Sequence, residues 1–382
     1  MSEALFGLAV AFLLLTIHPY TLYPLSLWMM PRHPLKPPPE GWRRPTVAIC
    51  MSAYNEEQVI VAKVESLLAM VEAYGPATIN IYVDGSADRT AELLEPYRDR
   101  VRLILSKERR GKTAGMKSLV AGAEGELLAF TDANVVVPAD ALVNLAAALH
   151  DPEVCCASAR LLYSNQDETG VSASGAIYWR LEEFIKSLET ETVGLVGVDG
   201  ALFVISRDAY SPPPDELIDD LYVSMSALLT GKRVVSAQSV LVEERGAARW
   251  KEEFHRKARI ACQAIRVHRA LWPRLSKASP QLLYCYLSHR FVKWMTPFNL
   301  LACGVCLTAG LCVAFNSLWP LAGVGIGGLA VVLGALLNLP YFRLLIGAGV
   351  SLAGVAYGQL QAVFTRETYS TWTPAATVRD EG

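Results

Sequence analysis

Charge is spread unevenly along this chain of 382 residues, and that unevenness constrains the fold more than any other feature. Residues 4–28 contain no Asp, Glu, Lys or Arg. Residues 297–364 contain one, Arg343, although the chain holds 35 Lys+Arg and 37 Asp+Glu. The remainder is about 25% charged, the usual share in a soluble domain. About 20 apolar residues suffice to cross the hydrocarbon core of a bilayer. The pattern predicts one soluble domain with membrane segments on both sides. It excludes a secreted disulfide scaffold, a disordered chain and a wholly membrane-embedded transporter.

The first apolar segment belongs to residues 1–30. It follows Glu3 rather than a basic start, and no small-residue cleavage pattern ends it, so it reads as a retained span. Arg32, Lys36, Arg43 and Arg44 come next. By the positive-inside rule they put the N-terminus outside and the soluble domain in the cytoplasm. Pro19 and Pro24 predict a kink or an end, and the Pro-rich residues 31–45 a semi-rigid linker. Turn signals at 316–320 and 338–343 divide residues 297–364 into spans near 297–316, 320–339 and 344–364. Counting through them places the tail, 365–382, outside, unless the last span is re-entrant. Residues 276–296 mix aromatics with His289, Arg290 and Lys293 and read as an amphipathic helix in the interface.

A net charge of −2 gives no global footprint for nucleic acid. The eight cysteines are scattered, which suits a reducing compartment. Cys303 and Cys306 form a CxxC without a second ligand pair, so no metal or redox role is assigned to them.

Within residues 46–275 short apolar runs alternate with helical periodicity. Runs at 46–51, 79–83, 101–105 and 127–131 read as strands, and the segments between them as helices. That alternation indicates βαβ units and an α/β fold with a mostly parallel, Rossmann-like sheet. Polar residues recur just after the strands: Asn55 and Glu56, Asp84, then Asp132 and Asn134. Open α/β sheets bind ligands outside the carboxyl ends of their strands. Neither GxGxxG nor GxxxxGK[ST] occurs, so a dinucleotide or P-loop site is not expected.

The order SAYNEE (52–57), VDGS (83–86), GK (111–112), TDAN (131–134), VDGALF (198–203), IDDLYV (218–223) and RKARI (256–260) resembles membrane-bound family 2 glycosyltransferases of the GT-A fold. These include bacterial exopolysaccharide synthases and relatives of cellulose, chitin and hyaluronan synthases. The resemblance spans about residues 44–300.

The resemblance implies a role for each matching position. Asn55, Glu56 and Asp84 would belong to the nucleotide end of the donor site, although Asp-Gly alone also reads as a turn. Asp132 and Asn134 match a DxD motif that holds Mg2+ or Mn2+ against the donor diphosphate; as residues alone they also suit an Asx turn. Asn134 offers oxygen without charge. Asp220 would be the general base, with Asp219 as its stand-in, while both also suit a helix N-terminus. Arg256 and Arg259 would clamp the leaving diphosphate, and Lys112 would contact the donor. Ile260 stands where processive members carry Trp. Tyr178 and Trp179 are candidates for stacking on an acceptor or for the core.

The implied activity is that of an inverting, metal-dependent glycosyltransferase in the bacterial inner membrane, with its catalytic domain in the cytoplasm. It would move sugar from a nucleotide-diphosphate donor, UDP-linked by resemblance, onto a growing polysaccharide of the cell envelope. The alternatives are single-sugar transfer onto a polyprenyl-phosphate or other lipid acceptor, and a degenerate membrane scaffold in a polysaccharide assembly complex. Expected partners are the donor, a glycan or lipid-linked acceptor, membrane lipids and a partner membrane subunit or second copy if four spans leave too narrow a conduit.

Overall fold

The computed structural model describes residues 1–163, 170–244, 249–337, 339–365, 369 and 371, with backbone only for 163, 170–178 and 340. The chain opens with helix α1 (Ser2–Ile17), a 3-10 turn (His18–Tyr20) and helix α2 (Leu22–Trp28). Then come β1 (Val47–Ala53), α3 (Ile60–Tyr74), β2 (Ala77–Asp84), α4 (Thr90–Leu94), β3 (Val101–Ser106), α5 (Lys112–Gly122) and β4 (Leu127–Thr131). The second half of the domain holds α6 (Ala141–Ala148), β5 (Val154–Tyr163), α7 (Gly170–Glu191), β6 (Leu202–Ser206), α8 (Asp219–Leu228) and β7 (Arg233–Glu244). Helix α9 (Trp250–Leu275), α10 (Pro280–Tyr286), a π-helical segment (Leu287–Phe291) and α11 (Val292–Trp294) lead to α12 (Thr296–Ala314), α13 (Trp319–Leu336) and α14 (Pro340–Phe364).

The seven strands form one sheet in the order β3-β2-β1-β4-β6-β5-β7. β1 pairs in parallel with both β2 and β4, and β2 with β3. β6 runs antiparallel to β4 and β5, and β5 runs parallel to β7. The α/β expectation holds, with a mixed sheet whose four read strands lie within two residues of their expected bounds. β1 is apolar on both faces because helices cover both, the usual state of a central parallel strand. One core layer contains Ile60, Val64, Leu67, Leu142 and Leu145 of α3 and α6. The opposite layer contains Met116, Leu119, Ile185, Val223 and Leu271 of α5, α7, α8 and α9.

The kink or end expected at Pro19 is present. Proline cannot donate a helical hydrogen bond, and the helix gives way to the 3-10 turn containing Pro19. α2 then docks on the domain: Tyr23 and Leu27 are fully buried in the second core layer.

Among the described residues, four helices are long and apolar enough to cross a membrane: Ser2–Tyr20, Thr296–Ala314, Trp319–Leu336 and Tyr341–Phe364. Phe6 of α1 packs on Gly310 of α12, and Phe342 of α14 on Gly334 of α13. The second half of α14 lies along α9. A Cβ on Gly354 would meet Phe254 O at 2.7 Å, and one on Gly358 would meet Ala258 O at 2.0 Å. Glycines four residues apart thus bring the two helix backbones into contact. Arg269 donates to Ala362 O farther along, at 2.8 Å.

This docking bears on the tail. Tyr369 donates to Gln361 Oε1, and Tyr369 and Thr371 line the cavity that holds the strand-end acids. These two tail residues therefore lie at the domain's cavity, on a tail for which counting spans and a re-entrant last helix give different sides.

Candidate active site

β1 and β4 are neighbours from which the chain passes on toward opposite edges of the sheet, to β2 and to β5. Such a switch point opens a crevice at the strand C-terminal ends. Here it is a cavity of about 840 Å³, within the size range of small-molecule sites.

Asp132 follows β4 directly. Its Oδ1 lies 2.8 Å from Lys112 Nζ, and that same ammonium is 3.3 Å from Asp219 Oδ1. Lys112 opens α5 after Gly111, whose φ of 95° is a left-handed conformation suited to glycine. Burial works to lower the Lys112 pKa, but Asp132, Asp219 and Asp220 outweigh it and hold the ammonium well above the usual lysine range.

Asp219 and Asp220 form the first turn of α8, where the helix dipole favours carboxylates. Asp219 Oδ2 is buried with no hydrogen-bond partner. Asp220 Oδ1 accepts from Leu221 N at 2.6 Å. Burial and the adjacent charge of Asp219 push the Asp220 carboxyl up to about 7, against the pull of Lys112. Gly200 closes the group. A Cβ there would lie 3.1 Å from Asp220 Oδ2 and 3.3 Å from both Asp132 Oδ2 and Lys112 Nζ. A side chain at 200 would fill the space between these groups.

Asp84 is 2% exposed, and both its oxygens are engaged. Arg110 N donates to Oδ1 at 2.7 Å and Gly111 N to Oδ2 at 2.8 Å. It therefore fastens the basic loop to the end of β2, a role the sequence reading did not assign. A Cβ on Gly85 would lie 2.8 Å from Arg109 N, so this loop packs directly on the turn. The Arg109 guanidinium stacks 3.7 Å from the Tyr54 ring centroid. Asn55 adopts φ 52°, accepts from Ala87 N and receives Ser86 Oγ on its own N–H. It ties the β1 and β2 loops together, whereas Glu56 lines the cavity.

Arg256 and Arg259 of α9 face the acids across the cavity. Arg256 pairs with Glu253 at 2.9 Å. Burial and Arg256 lower Arg259 to about 10. Ile260 also lines the cavity. Trp179 donates to Leu161 O and packs against the core; the Tyr178 side chain lies outside the described residues.

Three participants escaped the sequence reading. Glu244 at the end of β7 accepts from Asn134 Nδ2 at 3.1 Å. Burial and Asp132 raise its pKa. Lys63, fully buried under the Asp132 loop, donates to Thr131 Oγ1 at 2.7 Å and Val135 O at 2.6 Å; burial lowers it to about 7. Arg290 donates to Val196 O and to Gly197 O, gripping the loop that carries Asp199 and Gly200.

Arg290 extends from a buried polar network. His289 bonds Glu189 Oε1 at 2.7 Å and Glu182 Oε1 at 3.1 Å. Tyr23 donates to the same Glu189 oxygen, and Lys293 to both Glu182 oxygens. The π-helical turn holds the successive residues His289 and Arg290, and such turns recur at functional sites. None of these contacts leaves a local pattern, since each partner is about 100 residues or more away in sequence.

Comparison with known proteins agrees with this geometry. Residues 48–211 match the model for glycosyl transferase family 2. An N-acetylglucosaminyltransferase of Bradyrhizobium elkanii is 26% identical over 131 residues, 33% of this chain and 71% of that protein. One from Bradyrhizobium diazoefficiens is 26% identical over 129 residues, 33% of this chain but only 27% of its own length. The solved mannosyltransferase of Pyrobaculum calidifontis in complex with GDP-Man and Mn2+ superposes with a TM-score of 0.71 at 19% identity, over 95% of this chain and 100% of that one. It shares the fold, membrane helices included in the coverage. Residues 48–211 thus match a family 2 glycosyltransferase domain, within a GT-A-like fold joined to helices apolar enough to span a membrane.

Proposed function

We propose that the protein is an inverting glycosyltransferase that uses a nucleotide-diphosphate sugar and works at the cytoplasmic face of a bacterial inner membrane. One observation carries the reading: Asp132, Asp219 and Asp220 gather around the Lys112 ammonium in the switch-point cavity, with Arg256 and Arg259 opposite. Acids for a cation and a base thus face cations for a diphosphate.

The residues fit Mg2+ or Mn2+. They offer hard oxygen donors, an orphaned Asp219 oxygen, and a space that a Cβ at Gly200 would fill. Among the described residues no three His, Cys, Asp or Glu side chains form a ready-made cation site. That suits a cation held by one or two carboxylates together with substrate phosphates. Asp132 and Asn134 would hold it, and bound there it would offset charge developing on the departing diphosphate. Lys112, Arg256 and Arg259 bind that diphosphate. Asp220 takes the proton of the acceptor hydroxyl; a base near 7 is matched to that task at neutral pH. The relative solved with GDP-Man and Mn2+ supports this donor class and cation, while the choice between UDP and GDP rests on assay.

For the acceptor, single addition to a lipid-linked molecule is favoured over extension of a polysaccharide. At most 17% of each apolar span is buried, so the described helices present most of their surface to lipid rather than to one another. The cavity is also bordered by Ile260, Trp294 and Tyr369, apolar and amphipathic groups suited to a lipid-linked acceptor. Purified protein incubated with labelled UDP- and GDP-sugars, Mg2+ or Mn2+ and lipid extract tests this. One labelled sugar per lipid supports it, and a ladder of longer products refutes it.

A further inference from the structure

Asn134 occupies the second acidic position of the resembled motif and leaves that position uncharged. The structure brings a carboxylate to it from a distant strand. β7 ends at Glu244, and its neighbour Glu243 forms an antiparallel bridge with Val136, two residues beyond Asn134. The bridge joins the loop after β4 to the end of β7. Asn134 Nδ2 donates to Glu244 Oε1 at 3.1 Å, and both residues line the cavity with Asp132. The charges that bear on Glu244 include Asp132, Asp199, Arg256 and Arg259.

An amide has one oxygen and one NH2 group, and an ionised carboxylate only accepts. Asn134 must therefore turn its NH2 group to Glu244, which leaves Oδ1 free to face the cavity. Hard divalent cations favour oxygen ligands, and added ligand charge strengthens their binding. Carboxylates that hydrogen-bond a ligand residue typically tune metal affinity by about 10–100-fold.

We infer that Glu244 is a positioning residue of the cation site, fixing the Asn134 amide with its oxygen inward and supplying the negative charge that Asn134 lacks. This rests on the reading that Asp132 and Asn134 receive the donor's cation. It adds a third residue, one hundred and ten positions away in sequence from Asn134.

The test is Mn2+ binding to the full chain in detergent, read by the electron paramagnetic resonance of free Mn2+, with and without UDP or GDP. Glu244→Gln keeps an acceptor for Asn134 but removes the charge, and should weaken Mn2+ binding by about 10–100-fold. Asn134→Asp added to Glu244→Gln should restore affinity to within about threefold of wild type, a rescue that simple loss of packing does not give. Thermal melts of each variant with and without Mn2+ give a second reading, because bound metal stabilises the fold by an amount that grows with the logarithm of its affinity. If Asp132→Ala loses Mn2+ while Glu244→Gln binds it within twofold of wild type, the role of Glu244 is refuted and the cation site stands. Failure of Asn134→Asp to rescue also refutes it. If Asp132→Ala binds Mn2+ as wild type does, the cation site and the role of Glu244 fall together.

Discussion

Lys112 Nζ sits 2.8 Å from Asp132 Oδ1, so a side-chain cation stands beside the carboxylate assigned to the metal. The same ammonium reaches Asp219, and Asp220 adds a third negative charge nearby. Lys112 holds together a group of acids that would otherwise repel one another.

Removing that ammonium should be costly in two ways. Lys112→Met leaves the acids unbalanced, and breaking one partner out of a buried ion pair destabilises by about 3–5 kcal/mol. The side chain is 26% exposed, so solvent screening brings the expected loss toward about 1–2 kcal/mol. Calorimetry should show a lower melting temperature that added Mn2+ partly restores. Donor affinity should fall at least tenfold; unchanged donor binding would remove Lys112 from the diphosphate site.

Asp220 governs the pH dependence. Its carboxyl is raised to about 7, and a base must be ionised to accept a proton. Turnover should therefore fall as pH drops through about 7 and level off above it. The stability effect has the opposite sign. A raised folded-state pKa favours the protonated form, so the contribution is complete below about 4 and is lost as pH rises through about 7. Asp220→Asn should then melt higher than wild type above pH 7.

Gly358 tests the helix contact that places Arg256 and Arg259. A Cβ there would meet Ala258 O at 2.0 Å, so Gly358→Ala must push α14 from α9. Overpacking of this kind costs about 1–3 kcal/mol. Gly327→Ala is the control, because its Cβ would meet nothing within 4 Å and alanine is the better helix former. Thermal melts and transfer rates should drop for the first and hold for the second.

Arg290 tests the link from the interfacial helices to the cavity. Arg290→Met releases the carbonyls of Val196 and Gly197, and with them the loop bearing Gly200. Turnover should fall about tenfold with donor affinity retained. Lys293→Met, which loses the bonds to Glu182 and His289 but keeps Arg290 on the loop, should lower the melting temperature with a smaller effect on turnover. Parallel losses in both variants would reduce Arg290 to a structural tie.

β1, β2 and β4 were legible because each is a buried apolar run followed by a polar residue, and the more exposed β3 because it falls between two helical segments. β5, β6 and β7 were not, because β6 reverses direction and no strand-helix-strand rhythm marks it. Asp132, Asp219, Asp220, Lys112, Arg256 and Arg259 were all named from motif order, and all line one cavity. The pairing of Lys112 with Asp132 left no trace in spacing, nor did that of Asn134 with Glu244. Asp84 shows the converse: the residue was read, but its oxygens are taken up by the backbone of the next loop. Counting spans did not foresee Tyr369 and Thr371 at the cavity, because it treats the apolar helices as independent. The Gly354 and Gly358 spacing was visible in the sequence, but its partner is a charged helix of the soluble domain.

The central claim is that Asp220 activates an acceptor hydroxyl against a nucleotide-bound sugar. The most direct test is single-turnover transfer by Asp220→Asn, with donor occupancy measured in the same samples. Label should stay on the bound donor while wild type passes it to a lipid-extractable acceptor. Transfer by Asp220→Asn at the wild-type rate would contradict the account.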